Sequence, residues 1–330
     1  MPGRTTIVQV AKALGVAPST VSRAFNEPHR LLPATVERVH EKAEELGYIP
    51  NVHARALITG RSGVIGLCVP DITNPFFPPM VRAAQKRAEQ EGMVVYVTET
   101  DNDPDRERKI LATMRQQTES IVVASPRLPA EELRYIAEAS RLVLINSDHE
   151  GLARVLISTA DAIAKAIRGF FDQGCRTITY VGGPRRSWSE YERRTTVETT
   201  CKSLGITSTS LAAESGTYYA ARSMVDQILE TGPDAIVAFD DVIAHGVMHG
   251  IESRGLRIPD DILLVGCDDA LPSQTRPQLS TIRLPARRAT NLAIDILAAG
   301  STPVDEVRQI LPGELIHRET TLRPSSTITT

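Results

Sequence analysis

The chain has 330 residues, 42% of them apolar, and a formal net charge of −3. That length exceeds one compact core of ordinary size, so more than one compact unit is expected. No segment is apolar over the roughly 20 residues of a membrane-spanning helix, and the polar start of the chain lacks a signal-peptide pattern, so a cytoplasmic location without membrane contact is expected.

The first elements are two short helices and a tight turn. Thr6 with Gln9 has the form of a capping box, in which hydroxyl and amide cover orphan backbone donors at a helix start. The first helix then runs to about Leu14, and Gly15 suits the left-handed residue that closes it. Pro18 opens the second helix, where its missing N–H costs nothing. Ala11, Gly15 and Val21 stand where a helix-turn-helix needs a small residue, a turn glycine and a packing residue. Second helices of this kind enter the major groove of double-stranded DNA and offer their N-terminal side chains to base edges.

A third helix is predicted from about Pro33 to Leu46. Val36, Val39, Ala43 and Leu46 form its apolar stripe, and Gly47 stops it. Asn51 is a good N-cap for Val52 to Ile58, about two turns of helix and too short to be stable alone in water. Such a helix is useful where DNA and a partner hinge fold it. Met1 to Arg61 carries eight Lys/Arg against five Asp/Glu, while the remainder carries 29 against 35. A mildly basic head faces a polyanion but does not hold it alone, so two heads on one duplex, and hence a homodimer, are expected.

From Val64 the pattern becomes apolar strand, polar turn, amphipathic helix. Strands are predicted at 64–69, 93–98, 121–124, 142–145, 177–181, 235–239 and 262–266, which implies parallel sheets covered by helices. Ligands of such sheets sit at the carboxyl ends of the strands. Cys68, Cys175, Cys201 and Cys267 are scattered without C-x-x-C spacing, as buried thiols are. Asp240/Asp241, Asp260/Asp261 and Asp268/Asp269 look like catalytic carboxylate pairs, but neighbours in a strand point to opposite faces. His245 and His249 stand at i, i+4 without the adjacent Glu of a zinc protease. Gly182-Gly183-Pro184 is not a phosphate loop. No enzyme, metal or cofactor is expected. The tail from Arg323 to Thr330 lacks the leucine heptads that zip dimers into tetramers.

One longer stretch carries a resemblance. Leu46-Gly47-Tyr48-Ile49-Pro50-Asn51-Val52-His53-Ala54-Arg55-Ala56-Leu57 is followed by Thr59-Gly60-Arg61, by a strand at Ile65 to Val69, and by Pro70-Asp71-Ile72-Thr73-Asn74-Pro75-Phe76-Phe77. In order and spacing this resembles the lactose/galactose-repressor (LacI/GalR) family of bacterial transcription regulators, over nearly the whole chain. The resemblance implies an N-terminal all-α helix-turn-helix head (1–49), a hinge helix or linker (50–61), and an α/β bilobed, periplasmic-binding-protein-like core of two parallel-sheet lobes (62–330). Lobe 1 would take about 62–157 and 285–317, and lobe 2 about 158–284 and 318–330. The chain would cross between them near Asn146–Ala160, Ile282–Pro285 and Leu315–Thr321.

The resemblance also implies functional residues. Pro18, Ser19 and Arg23 match base-contacting positions, and Arg23 can pair bidentately with a guanine edge. Thr6, Thr20, Ser22, Asn26 and Arg30 are placed for phosphates. Leu57 would wedge into the central step of the operator from the minor groove, with Ala54 allowing close approach of two hinges and His53 and Arg55 reaching the sugar-phosphate. Phe76, Phe77, Asn146, Arg193, Tyr218, Asp240 and Asp268 match effector positions: aromatic platforms, a planar donor and acceptors for a small polyhydroxylated ligand. That ligand would be a sugar, a related polyol or a nucleoside-like molecule. Several positions depart from the family's habit. Ala17 and Leu32 replace capping hydroxyls, Asp240 stands where Asn is frequent, Ser158-Thr159 where Asp-Asn is common, and Thr196-Val197 where a Gly-aromatic pair is usual. The competing reading is a solute-binding receptor or sugar-processing protein of the same bilobed class.

Overall fold

The structure, a computed structural model, describes residues 5–48, 62–213, 215–270, 275–299 and 307–323. The chain divides into two compact units, Met1–Gly63 and Val64–Thr330.

In the first unit, α1 (Ile7–Leu14), α2 (Pro18–Asn26) and α3 (Pro33–Glu45) enclose a core of small side chains: Val10, Ala11, Val21, Ala24, Val39 and Ala43. The Thr6–Gln9 capping box is formed, and Gly15 closes α1 at φ 67°. Neither Ala17 nor Leu32 caps with its side chain, and both following helices open on a proline. His40 stacks on Phe25 with centroids 4.8 Å apart, and Thr5 Oγ1 donates to the Leu46 carbonyl at 2.8 Å, tying the end of α3 to the chain before α1.

The second unit contains two six-stranded sheets. The first has the order β11-β5-β4-β3-β1-β2, built from Arg308–Pro312, Ala153–Ser158, Arg141–Ile145, Ser120–Ala124, Val64–Val69 and Val94–Glu99. The second has the order β12-β10-β9-β8-β6-β7, built from Glu314–Ile316, Ser280–Arg283, Leu263–Asp268, Ala235–Ala238, Thr177–Gly182 and Thr207–Ala212. Every pairing is parallel except β10 with β12. The central strands are buried on both faces, which is why they read as continuous apolar runs rather than alternating ones. No described helix is long and apolar enough to cross a membrane.

Three segments join the lobes. The first leaves β5 at Ser158 and enters helix Ala160–Asp172, which packs on helix Trp188–Leu204 of the second lobe. There Glu192 accepts from Ser158 Oγ (2.6 Å), Thr159 Oγ1 (2.7 Å) and Thr159 N (3.1 Å), so Ser158-Thr159 is clasped by one carboxylate. The second runs from β10 into helix Ala286–Ala298, which packs on helix Pro78–Gln90 of the first lobe. The third corrects the expected boundary. Glu314–Ile316 pairs antiparallel with β10, so the chain crosses at Gly313 rather than at 315–321, and residues 314–317 leave lobe 1. A Cβ at Gly313 would stand 2.9 Å from Ile282 Cγ2, 3.2 Å from Leu284 Cδ2 and 3.4 Å from the Ser158 carbonyl. The three crossings therefore meet where only glycine fits.

Candidate functional site

The head presents one face of α2. Pro18, Ser19 and Arg23 are exposed, and the Arg23 side chain has neither a hydrogen bond nor an ion pair among the described residues. Thr20, Ser22 and Asn26 are half-buried, with Asn26 Nδ2 donating to Ser22 Oγ at 3.3 Å. Thr6 is exposed, and exposed Arg30 pairs with Glu27 at 3.1 Å. This is the arrangement a groove-reading helix requires: an unsaturated arginine on the open face and apolar Val21 and Ala24 beneath. His53, Ala54, Arg55 and Leu57 lie outside the described residues.

The larger unit holds a cleft between its lobes, with about 570 Å³ of empty space that includes its open mouth. Every described non-glycine residue in the left-handed backbone region stands after or at the carboxyl end of a strand bordering it. They are Asp101 and Asn102 after β2, Ser125 after β3, Asn146 after β4, and Asp268 and Asp269 at the end of β9. Such conformations cost roughly 1–3 kcal/mol each and cluster where a site over-determines the backbone.

Arg193 is the centre of the second lobe's wall. Helix Trp188–Leu204 starts on a Ser187 cap and carries the side chain inward, where it is 4% exposed. Its guanidinium lies 4.5 Å over the Phe239 ring, donates to the Phe239 carbonyl, and places Nη2 3.8 Å from Asp268 Oδ1. Burial pushes the Asp268 carboxyl well above the ordinary aspartate range, with the Arg193 charge opposing it. Asp240 caps helix Asp241–Glu252 through the Ile243 N–H (2.8 Å) and reaches across the cleft to Asn74 Nδ2 (3.1 Å). Its carboxyl is likewise raised, first by burial. Asn146 uses Oδ1 to accept from Ile157 N at 2.9 Å, and its side-chain Nδ2 has no hydrogen bond among the described residues. Phe76 and Phe77 line the opposite wall, edge to face at 5.1 Å.

Two sequence profiles match the chain: "Bacterial regulatory proteins, lacI family" over residues 6–51 and "Periplasmic binding protein-like domain" over 167–321. The ribose operon repressor of Halalkalibacterium halodurans is 31% identical over 323 residues, covering 96% of this chain and 97% of its own. The chain belongs to the lacI family of bacterial regulatory proteins. The HTH-type transcriptional regulator GalR of Escherichia coli is 28% identical over 337 residues, covering 97% of this chain and 96% of its own. The crystal structure of the lac repressor dimer bound to operator and the anti-inducer ONPF has a TM-score of 0.87 at 25% identity, covering 97% of this chain and all of that one. This lacI-family member is a DNA-binding transcription regulator.

Of the expected effector residues, Phe76, Phe77, Asn146, Arg193, Asp240 and Asp268 line one cleft, and Tyr218 does not. Thr217 caps the helix that Tyr218 begins, and that helix packs on Asp241–Glu252. The Tyr218 hydroxyl is consequently bonded to His249 Nδ1, with the ring edge-to-face against Tyr219. The second lobe's aromatic wall is Phe239 instead. Its position at the end of a four-residue apolar strand resembled core rather than site. Asn74, Asn102, Ser125 and Arg127 also line the cleft and were not singled out. Their shared signal is a polar residue within a few positions of a strand's carboxyl end.

Asp241, beside the cap, faces away from the cleft. It accepts from Thr281 Oγ1 (2.6 Å) and Ala270 N (2.9 Å), and burial pushes its carboxyl up to about 7 against those bonds. Between the ordinary 3.8 and about 7 the folded chain holds a proton that the unfolded chain has released, so stability falls as pH rises through that window. The expected result is a pH-dependent gap between wild type and Asp241→Asn. Relative to the variant, wild type should lose on the order of 3 kcal/mol between pH 4 and pH 8. Urea unfolding of both proteins across that range checks it, and parallel curves would contradict the assignment.

Proposed function

We propose that the protein is a cytoplasmic repressor that binds a palindromic operator as a homodimer, with its affinity set by a small polyhydroxylated ligand in the interlobe cleft. The observation that carries this reading is the polar convergence in the cleft. Arg193, Asp268 and Asp240 from one lobe face Asn146 and the Phe76–Phe77 pair from the other. Arginine and carboxyl groups at such spacing recognise vicinal hydroxyls, and aromatic edges suit the apolar face of a sugar ring. A ligand held by both lobes favours one interlobe angle. Its differential affinity for the two angles is the free energy available to alter DNA binding, typically about 1–3 kcal/mol.

Recognition of DNA is assigned to α2. Pro18 supplies shape, Ser19 and Arg23 reach base edges, and Thr6, Thr20, Ser22, Asn26 and Arg30 serve the phosphates that fix register. Arg23→Ala should relax preference at one base pair of each half-site by about 1–3 kcal/mol. Competition binding against operators varied one base at a time measures this. A uniform loss on all sequences, with a shallower salt slope, would make Arg23 a phosphate contact instead. The general test is selection of bound genomic fragments by the full-length protein, followed by titration of the selected operator with and without candidate ligands. A protein that binds sugars but retains no fragment would be a solute receptor.

A further inference from the structure

The cleft contains a second buried arginine, on the first lobe. Arg127 follows the left-handed Ser125 after β3 and is 8% exposed. Its guanidinium is held as a fork: Nη1 donates to the Ser125 carbonyl at 2.7 Å and Nη2 to Asn102 Oδ1 at 2.9 Å, while Nε has no partner. Ser125, Asn102 and Arg127 all line the cleft, so two strained turns are used to aim one cation.

Glu107 acts on that cation through its charge, without a direct ion pair. No described carboxylate forms an ion pair with Arg127. Glu107 lies behind it and takes the Arg127 backbone N–H on Oε2 at 2.8 Å, leaving Oε1 without a hydrogen bond. Burial raises the Glu107 carboxyl, with the Arg127 charge opposing it, and pushes Arg127 down to about 10, with the Glu107 charge opposing that shift. The acidic groups of the cleft are already engaged. Asp71 accepts from the Thr73 N–H (2.8 Å) and hydroxyl (2.6 Å), Asp240 from Ile243 and Asn74, and Asp268 faces Arg193. A desolvated guanidinium held by neutral carbonyl and amide oxygens, with Glu107 outside ion-pair reach, gains from an anion that meets it directly.

We infer that the effector carries an oxyanion on a polyhydroxylated skeleton, and that Arg127 of the first lobe binds the oxyanion while Arg193, Asp240 and Asp268 of the second lobe take the hydroxyls. This rests on the cleft being the effector site. An anion at one end and hydroxyls at the other would connect the lobes through their two cations, as a neutral sugar of the same length would not. A sugar acid carboxylate and a sugar phosphate share the required chemistry.

Calorimetric titration of the full-length protein with matched pairs separates these cases: D-gluconate against D-glucitol, D-ribonate against ribitol, D-glucose 6-phosphate against D-glucose, and D-ribose 5-phosphate against D-ribose. In wild type the anionic member of at least one pair should bind ~10-fold or more tightly than its neutral partner. The pair that shows it tells carboxylate from phosphate. The preference should fall to near parity in Arg127→Gln and to an intermediate value in Arg127→Lys, which keeps the charge but loses the fork. Circular dichroism melts confirm that each variant is folded, and the lysine variant carries the test if the glutamine variant is not. Equal binding of neutral and anionic members, or a preference that survives in Arg127→Gln, overturns the anion assignment and leaves the cleft reading intact. Binding of none of the eight compounds overturns it as well, and the operator titration with other ligands then decides the cleft separately.

Discussion

Arg193→Ala is expected to erase the effect of ligand on operator affinity. The ratio measured with and without ligand should fall from the ~5- to 150-fold typical of such coupling to unity. The side chain holds three features together: the Phe239 carbonyl, the Phe239 ring face and the Asp268 carboxylate. Its removal also leaves Asp268 and Asp240 buried without a facing cation, a change that costs roughly 3–5 kcal/mol where a pair is tight. The 3.8 Å separation from Asp268 places the cost at the lower end. Arg193→Lys distinguishes folding from recognition, since it restores charge and much of the stability but not the planar fork. Asp268→Asn should likewise lose the ligand response. A wild-type ratio in both Arg193→Ala and Asp268→Asn would place the effector elsewhere.

The second large effect is assigned to the hinge. Leu57→Ala should weaken binding to the specific operator on the order of 100-fold while leaving non-specific binding nearly intact. Only the specific complex recovers the unstacking cost through a bent, wrapped duplex. Circularly permuted fragments report the bend angle, and filter binding reports affinity. The wedge assignment fails if both are unchanged in the variant. A pyrimidine–purine centre in the operator is part of the same expectation, because those steps unstack most easily.

The cleft shows how far residue-by-residue reading reaches. Arg193, Asp268, Asp240, Asn146, Phe76 and Phe77 match effector positions through the family resemblance and line the cleft, although Arg193 lies within helix Trp188–Leu204 rather than at a strand end. Tyr218 came from the same resemblance and does not line the cleft, because its ring direction depends on a helix cap and on the neighbouring helix rather than on its position in the chain. Phe239 and Arg127 were passed over for the opposite reason. A phenylalanine ending an apolar strand resembles core, and an arginine in a polar turn resembles surface, until the second wall of the cleft covers both.

What the amino-acid order determined by itself is local. The capping box, the turn glycine and the two helix-opening prolines specify the head within about 40 residues, because capping and backbone preference act over one or two turns. The apolar runs of β1, β3, β4, β6, β8 and β9 were visible because strands buried on both faces need no partner to be read, and β2 was expected as well, at 93–98. Other strands depended on the assembled sheets. The polar Thr207–Ala212 is a strand only because β6 offers it an edge, and Glu314–Ile316 only because β10 does. Ala153–Ser158 was masked by Arg154, whose charge is answered by Asp148 at 2.5 Å. The crossing at Gly313 and the meeting of Arg127 and Arg193 in one cleft likewise arise from contacts between residues far apart in sequence. Local preference cannot encode such contacts, because their energy exists only once both lobes have closed around the same space.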